Sequence, residues 1–453
     1  MRATSRSDYR KLSLLQLAAA TYLMVSGGPY GIEELVQDCG YRGALAILFL
    51  IPLLWSLPVG LLVGELSAAI PAEGGFYVWV RRALGPFWGF QEAWLSLTAS
   101  IFDMAVYPAI FVLSLGRIWP AAIHGHNGFF IGIAFVLACF VWNLCGARAV
   151  GEGSLVLGGL LLTPFVVLVA MALIHHDPSG GPAASAALAP HDWLAGVLVA
   201  MWNYMGWDNA STIAGEVQNP QRTYPRVMMI LLAATVLSYL IPISAVWAAG
   251  VPPGEWATGA WVSLASRVVG PWLGVAMLVA TMVSMLGMFN SLTLSLSRLP
   301  LVLAEDGCAP SFLKRKLANG VPWAALTVCT LAWIGALQLS FDRLLMLDIL
   351  LYGASLVLEF VALAVLRFRE PGLPRPFAIP GGRAVASVLG VCPAALLIGA
   401  AIRSREERMG NVSAFTVGVA IVAAGVVFYW IAAWRRLAAG PPEAKTEPSA
   451  TAI

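Results

Sequence analysis

Twelve long apolar stretches follow one another along this chain, near 13–37, 43–70, 87–118, 128–145, 153–175, 192–216, 226–249, 268–297, 322–340, 343–366, 384–402 and 412–434. A helix crosses about 30 Å of hydrocarbon in about 20 residues, and inside lipid only helices and closed barrels satisfy their backbone. The expectation is an all-α, multi-pass membrane protein of twelve transmembrane helices. Composition agrees: 59% of the 453 residues are hydrophobic and 11% are charged, against about 25% charged in a soluble domain. Soluble enzymes, nucleic-acid binders, disordered scaffolds and coiled coils are thereby excluded. The net charge of +3 is too small to call for an anionic partner.

The basic head Arg2, Arg6, Arg10, Lys11 resembles the start of a secretory signal, but the apolar run that follows enters Gly27-Gly28-Pro29 without a small-residue cleavage site. It reads as a retained first helix. With the N-terminus inside, 20 of the 27 lysines and arginines fall in cytoplasmic segments and 7 in outer ones, a positive-inside bias. Both termini are expected in the cytoplasm, in a plasma (inner) membrane. That distribution leaves no lysine or arginine for the membrane interior, whereas Glu33, Glu34, Asp103, Asp208, Asp348 and Glu359 all fall within spans. Ionisable groups at depth cost at least about 2.5 kcal/mol and mark ion or substrate paths. These acids must be protonated, be hydrated, or meet a cation from outside the chain. Glu65 and Glu216, nearer the inner ends, are expected to tie loops and gates together.

Two spans are interrupted. Ser26-Gly27-Gly28-Pro29-Tyr30-Gly31-Ile32-Glu33 cannot hold a regular helix, and Met201-Trp202-Asn203-Tyr204-Met205-Gly206-Trp207-Asp208 is a polar, glycine-containing patch in apolar surroundings. Breaks in the first and sixth spans give two halves of five with matching defects, the pattern of an inverted-repeat transporter with a midplane site. The expected organisation is a cytoplasmic segment 1–12, repeats 13–176 and 190–367, a loop with two peripheral helices 368–436, and a disordered tail 437–453.

Several motifs are similar to those of one family. They are the first break, Pro71-Ala72-Glu73-Gly74-Gly75-Phe76-Tyr77, the stretch Asp103 to Pro108, Trp207-Asp208 through Gly215-Glu216-Val217-Gln218-Asn219-Pro220, Leu358-Glu359-Phe360 and Arg375-Pro376-Phe377. Together they resemble the plant and protozoan polyamine uptake transporters of the amino acid–polyamine–organocation superfamily, over about residues 13–400. Glu-Gly-Gly and Gly-Glu-x-x-Asn-Pro are superfamily-wide and imply the fold. The Gly-Gly-Pro break is the part that points toward polyamines. The resemblance implies a five-plus-five inverted repeat around a central site, with transport commonly coupled to protons.

Candidate substrate contacts are Ser26, Gly27, Gly28, Tyr30 and Glu33 at the first break, Asp103 and Tyr107 on the third span, and Trp202, Asn203, Tyr204, Trp207 and Asp208 at the second break. Asp103 either pairs with a substrate ammonium or is a protonated structural bridge. Asp208 either contacts substrate or caps the half-helix that follows. An aromatic face on Trp202 or Tyr204 attracts an ammonium by about 0.5–2 kcal/mol, against plain helix packing. Unwound carbonyls at both breaks are further acceptors for an amine. Proton-coupling candidates are Asp103 and Glu359, the latter weighed against a structural hydrogen bond. Pro29 removes one donor that a substrate carboxylate would use. The histidines (His124, His126, His175, His176, His191) and six cysteines form no metal pattern, and no cofactor is implied.

The expected function is a secondary carrier importing a polyamine of the putrescine or spermidine class, with protons as coupling ion. The alternative is an amino acid permease of the same fold. A membrane enzyme or sensor is remote, since no catalytic constellation and no sizeable soluble domain is visible.

Overall fold

The computed structural model describes residues 11–174, 192–338, 344–405, 408–409 and 412–438. Arg2, Arg6, Arg10, His175, His176, His191, Arg343 and the tail from 439 lie outside the described residues. Among those described, nine helices are long and apolar enough to cross a membrane. The chain is an all-α membrane protein.

The first and sixth expected crossings are broken for local reasons, the eleventh is divided between two helices, and the ninth is short. The first is split: α1 (Leu14–Val25) ends at Ser26, and α2 (Glu33–Ile51) begins after the glycine-rich segment. Gly28 and Gly31 there take φ of +76° and +83°, a region that L side chains rarely adopt. α2 continues through a π-helical turn (Pro52–Ser56) into α3 (Leu57–Ala69). Glu33–Ala69 is 37 residues, about 55 Å at 1.5 Å per residue, too long for one crossing. Gly40, at φ +65°, interrupts it and divides a stub belonging to the first span from the second. The sixth is a half-helix, α8 (Trp193–Asn203), followed by two 3₁₀ turns, Asp208–Thr212 and Ala214–Glu216. Short polar side chains there bond to nearby backbone and compete with the helix; Thr212 Oγ1 donates to the Asn209 carbonyl at 3.0 Å. The ninth is the 14-residue α13 (Trp323–Ala336).

Between these lie α4 (Phe76–Leu84), α5 (Pro86–Ile118), α6 (Asn127–Leu144), α7 (Ala147–Ile174), α9 (Pro220–Ala248), α10 (Trp261–Val268), α11 (Pro271–Leu296) and α12 (Leu299–Glu305). After α13 come α14 (Leu344–Arg369), α15 (Gly382–Val388), α16 (Val391–Arg403), a two-residue strand pair at 408–409 and 412–413, and α17 (Ala414–Ala438). Only 17% of the membrane windows of α16 and α17 is buried, against 61% for α14, so the last two helices lie at the edge of the bundle. α5, α11 and α14 form its centre, with α1 against α7 and α11.

One end of the bundle is held by ion pairs. The Glu65 carboxylate is fully buried and accepts from Arg367, from Arg375 Nε at 3.1 Å and from the Ile379 amide at 2.8 Å. Arg298, also fully buried, donates to Glu216 at 2.8 Å. Glu65 and Glu216 thus tie the segments at this end of the bundle together, as expected, and the arginines they hold are buried in protein. These arginines were assigned to inner loops, yet long stems carry their guanidinium groups back to acids at the helix ends. At the rim, Arg82 donates to Glu370 at 2.5 and 2.9 Å and holds its carboxyl below the usual carboxylate range.

Glu65→Ala should strand two arginines that are 10% and 9% exposed. Removing one partner of a buried ion pair costs about 3–5 kcal/mol, so the melting temperature in detergent should fall sharply. An unchanged melt would show that water screens this cluster.

Candidate functional site

The two breaks face each other and are stitched together. Asn203 Nδ2 donates to the Gly31 carbonyl at 3.2 Å. The Tyr239 hydroxyl lies between Ser26 Oγ at 2.8 Å and the Asn203 carbonyl at 2.9 Å. Ser284 Oγ donates to the Gly27 carbonyl at 2.7 Å, and the Trp261 indole to the Pro29 carbonyl at 2.5 Å. The Tyr204 carbonyl accepts from the Trp207 indole at 2.9 Å. Five carbonyls of the breaks thus each accept from one of the protein's own donors. A buried carbonyl without a partner is costly, and these neighbours supply one.

Beside the breaks is a cavity of about 300 Å³, the small end of the usual range for small-molecule sites. Gly31, Glu34 and Arg117 mark its exposed mouth. Its walls carry four carboxylates, Glu33, Glu34, Asp103 and Asp348, and one cation, Arg117. Between them are apolar surfaces of Val199, Ile110, Leu278, Met285 and Met288.

Asp103 is positioned by α5. Tyr107, one turn on, donates its hydroxyl to both carboxylate oxygens at 2.8 and 2.9 Å, the i, i+4 geometry of a helix face. Asp348 and Tyr352 repeat that spacing on α14, which packs along α5. Asp348 is 5% exposed. Glu33 starts α2 and accepts from the Gly31 amide at 2.7 Å; an acid in the first helical turn is also favoured by the helix dipole. Glu34 accepts from Thr258 at the mouth.

Seven of the twelve candidates line this cavity: Gly27, Tyr30, Glu33, Asp103, Tyr107, Trp202 and Asn203. Trp202 stands beside Gly31, whose added Cβ would come within 3.2 Å of its ring. Tyr30 is anchored through its hydroxyl to the Met277 carbonyl at 2.9 Å. The other five are turned away. Ser26 accepts from the Gly28 amide at 3.1 Å. Tyr204 is fully buried and donates to the Leu48 carbonyl at 2.9 Å. Trp207 is enclosed beside it. Asp208 does not line the cavity; it accepts from the Tyr352 hydroxyl and from the backbone amides of 208 and 209 at the start of the 3₁₀ turn. Of these two acids, Asp103 lines the cavity and Asp208 does not. Asp348 is the second interior acid of the cavity. The Asp-x-x-x-Tyr spacing common to 103–107 and 348–352 was the signal that could have found it. Glu359 is buried off the cavity. Among the described residues no three His, Cys, Asp or Glu side chains converge as a metal site.

A helical bundle with paired breaks around an acid-lined cavity defines a multi-pass membrane permease. The family model described as "Amino acid permease" matches residues 12–407, and the chain belongs to that family, within the amino acid–polyamine–organocation superfamily. The chain is 31% identical to the polyamine transporter RMV1 of Arabidopsis thaliana over 93% of its length and 86% of that protein. It is 33% identical to the polyamine transporter PUT1 of Oryza sativa subsp. japonica, over 86% and 73%. The serine/threonine exchanger SteT of Bacillus subtilis (strain 168) is more distant, 26% identical over 72% and 75%. The protein is a transporter rather than an enzyme by this kinship.

Proposed function

We propose that the chain is a secondary carrier that imports a polyamine of the putrescine or spermidine class by alternating access, coupled to protons. It does so as twelve crossings with a five-plus-five inverted repeat, both termini in the cytoplasm of the plasma (inner) membrane. The observation that carries the cargo is the four-carboxylate cavity with its single arginine at the mouth. Separated acids with apolar wall between them suit ammonium groups joined by an alkyl chain. Inward movement of such a cation gains about 2.3 kcal/mol per charge per 100 mV of membrane potential.

The amino acid reading is the second, supported by the family and by the kinship to an exchanger named for serine and threonine. An amino acid brings a carboxylate that needs donors at the breaks. Those amides are engaged: Gly28 donates to Ser26, Gly206 to Tyr352 at 3.0 Å, and Gly31 to Glu33. The chain's own carboxylate sits where a substrate's would. This favours a cargo without an acid group.

The test is uptake of labelled putrescine and spermidine into liposomes containing the purified protein, with each amino acid as competitor. Polyamine uptake that no amino acid displaces is the expected result. Uptake of serine or arginine with none of either polyamine would overturn the cargo and leave the family standing.

A further inference from the structure

Behind the cavity a second set of acids is enclosed: Glu92 on α5, Asp208 after the second break and Glu359 on α14, at 0%, 2% and 0% exposure. None of them takes part in an ion pair among the described residues. Neither oxygen of Glu92 or of Glu359 meets a hydrogen-bond donor. The carboxyl groups of Asp208 and Glu359 are nevertheless neighbours, and Asp208 also accepts from the backbone amides of 208 and 209. An ionised carboxylate is an acceptor only, so these two can bond to each other only through a proton held between them. Glu92 adjoins both. Ser96, one turn further along α5 and 7% exposed, likewise has no hydrogen-bond partner for its Oγ.

Among the described residues, the titratable groups recorded as acting on this cluster are acids and a phenol. Glu359 faces Asp208 from the broken segment, Glu92 from α5 and Tyr352 from its own helix. On the cavity side Asp348 stands within electrostatic reach of Asp103 and Asp208. Tyr352 stands between the two sets. It lines the cavity, donates to Asp208 and accepts from the Gly206 amide at 3.0 Å. Three enclosed carboxylates with no cation cannot all be ionised together, because burying an unpaired charge costs several kcal/mol.

We propose that Asp208 and Glu359, backed by Glu92, form the proton-binding site of this carrier, with Tyr352 as the gate between that site and the cavity. This rests on the carrier reading above. The proton enters from the outer solution through the cavity, is held between the two carboxyl groups and leaves to the inner solution. Tyr352 keeps its own proton throughout and only opens or closes the way. Movement of the Tyr204–Trp207 segment pulls Asp208 from Tyr352 and Glu359, so release of the proton accompanies reorientation of the break. Proton and organic cation travel in the same direction.

Glu359→Gln tests this in liposomes containing the full-length protein, since glutamine keeps the shape and permanently imitates the neutral acid. Counterflow of labelled putrescine against unlabelled putrescine should stay within about twofold of the parent. Accumulation driven by an acidic exterior, and the proton movement accompanying it, should fall at least 10-fold. Glu359→Asp keeps a proton-bearing group and should restore part of the gradient-driven uptake; it serves equally if the glutamine variant reconstitutes poorly. Undiminished proton movement in Glu359→Gln overturns the assignment, as does parent protein that exchanges putrescine and moves no protons. Parent protein with no polyamine counterflow at all sinks the carrier reading instead.

Discussion

Asp103→Asn is expected to weaken binding of putrescine or spermidine by about 10²-fold or more. The carboxylate lines the cavity and takes hydrogen bonds from Tyr107 and Trp202. That phenol orients the acid without neutralising it, so the charge remains available to a visiting ammonium. Removing one member of a desolvated charge pair costs about 2–5 kcal/mol, and each 1.4 kcal/mol is a factor of ten. The substitution should not weaken the empty protein. It removes a charge that faces Asp348 across the same cavity, and relief of that repulsion should hold or raise the melting temperature. Calorimetric titration of purified protein, with a melt of the unliganded variant, separates the two effects. Asp348→Asn should act in the same direction, and the double variant should lose less than the sum if one diamine bridges both. Asp208→Asn should cost less than Asp103→Asn, because Asp208 lies behind Tyr352. Equal polyamine affinity in Asp103→Asn and the parent would remove this carboxylate from the site.

Why was Asp103 visible in the sequence and the place of Asp208 not? An acid in the middle of a regular span has its depth fixed by helical rise alone, so a count along 86–118 places it. Asp208 follows Gly206, whose φ of +91° redirects the chain, and a linear count says nothing about direction after such a turn. The same reasoning separates Trp202, still within α8 and on the cavity, from Tyr204 and Trp207, which follow its end and are packed away. Length and apolarity marked where crossings lie, and glycine and proline marked where they fail. The partners of break carbonyls were illegible for a different reason. Ser284, Trp261 and Tyr239 come from helices far along the chain, and only the tertiary arrangement brings their donors to Gly27, Pro29 and Asn203. Arg298 illustrates a third limit: a charge counted with the loops is fully enclosed against Glu216, because side-chain reach exceeds the precision of a span boundary.

The second large effect is expected at Gly206, where the second break lies against the end of α1. A Cβ there would lie 2.5 Å from the Met24 carbonyl oxygen, a backbone atom that no rotamer change can move aside. The residue also sits at φ +91°, and a non-glycine residue in such a region costs about 1–3 kcal/mol by itself. Gly320 isolates that strain: its φ is +90°, and an added Cβ would meet nothing within 4 Å. Gly320→Ala should therefore lower stability by about the strain alone, with uptake preserved. Gly206→Ala carries the strain and the collision together. To relieve it the second break must retreat from the first, which pulls the Gly206 amide from Tyr352 and stretches the Asn203–Gly31 contact. Loss of uptake with a melting temperature well below that of Gly320→Ala is the expected pair of results. Were the two alanine variants to melt together and transport alike, the close approach of the breaks would have no part in holding the cavity, and the opposed half-helices would have to be positioned by their outer neighbours alone.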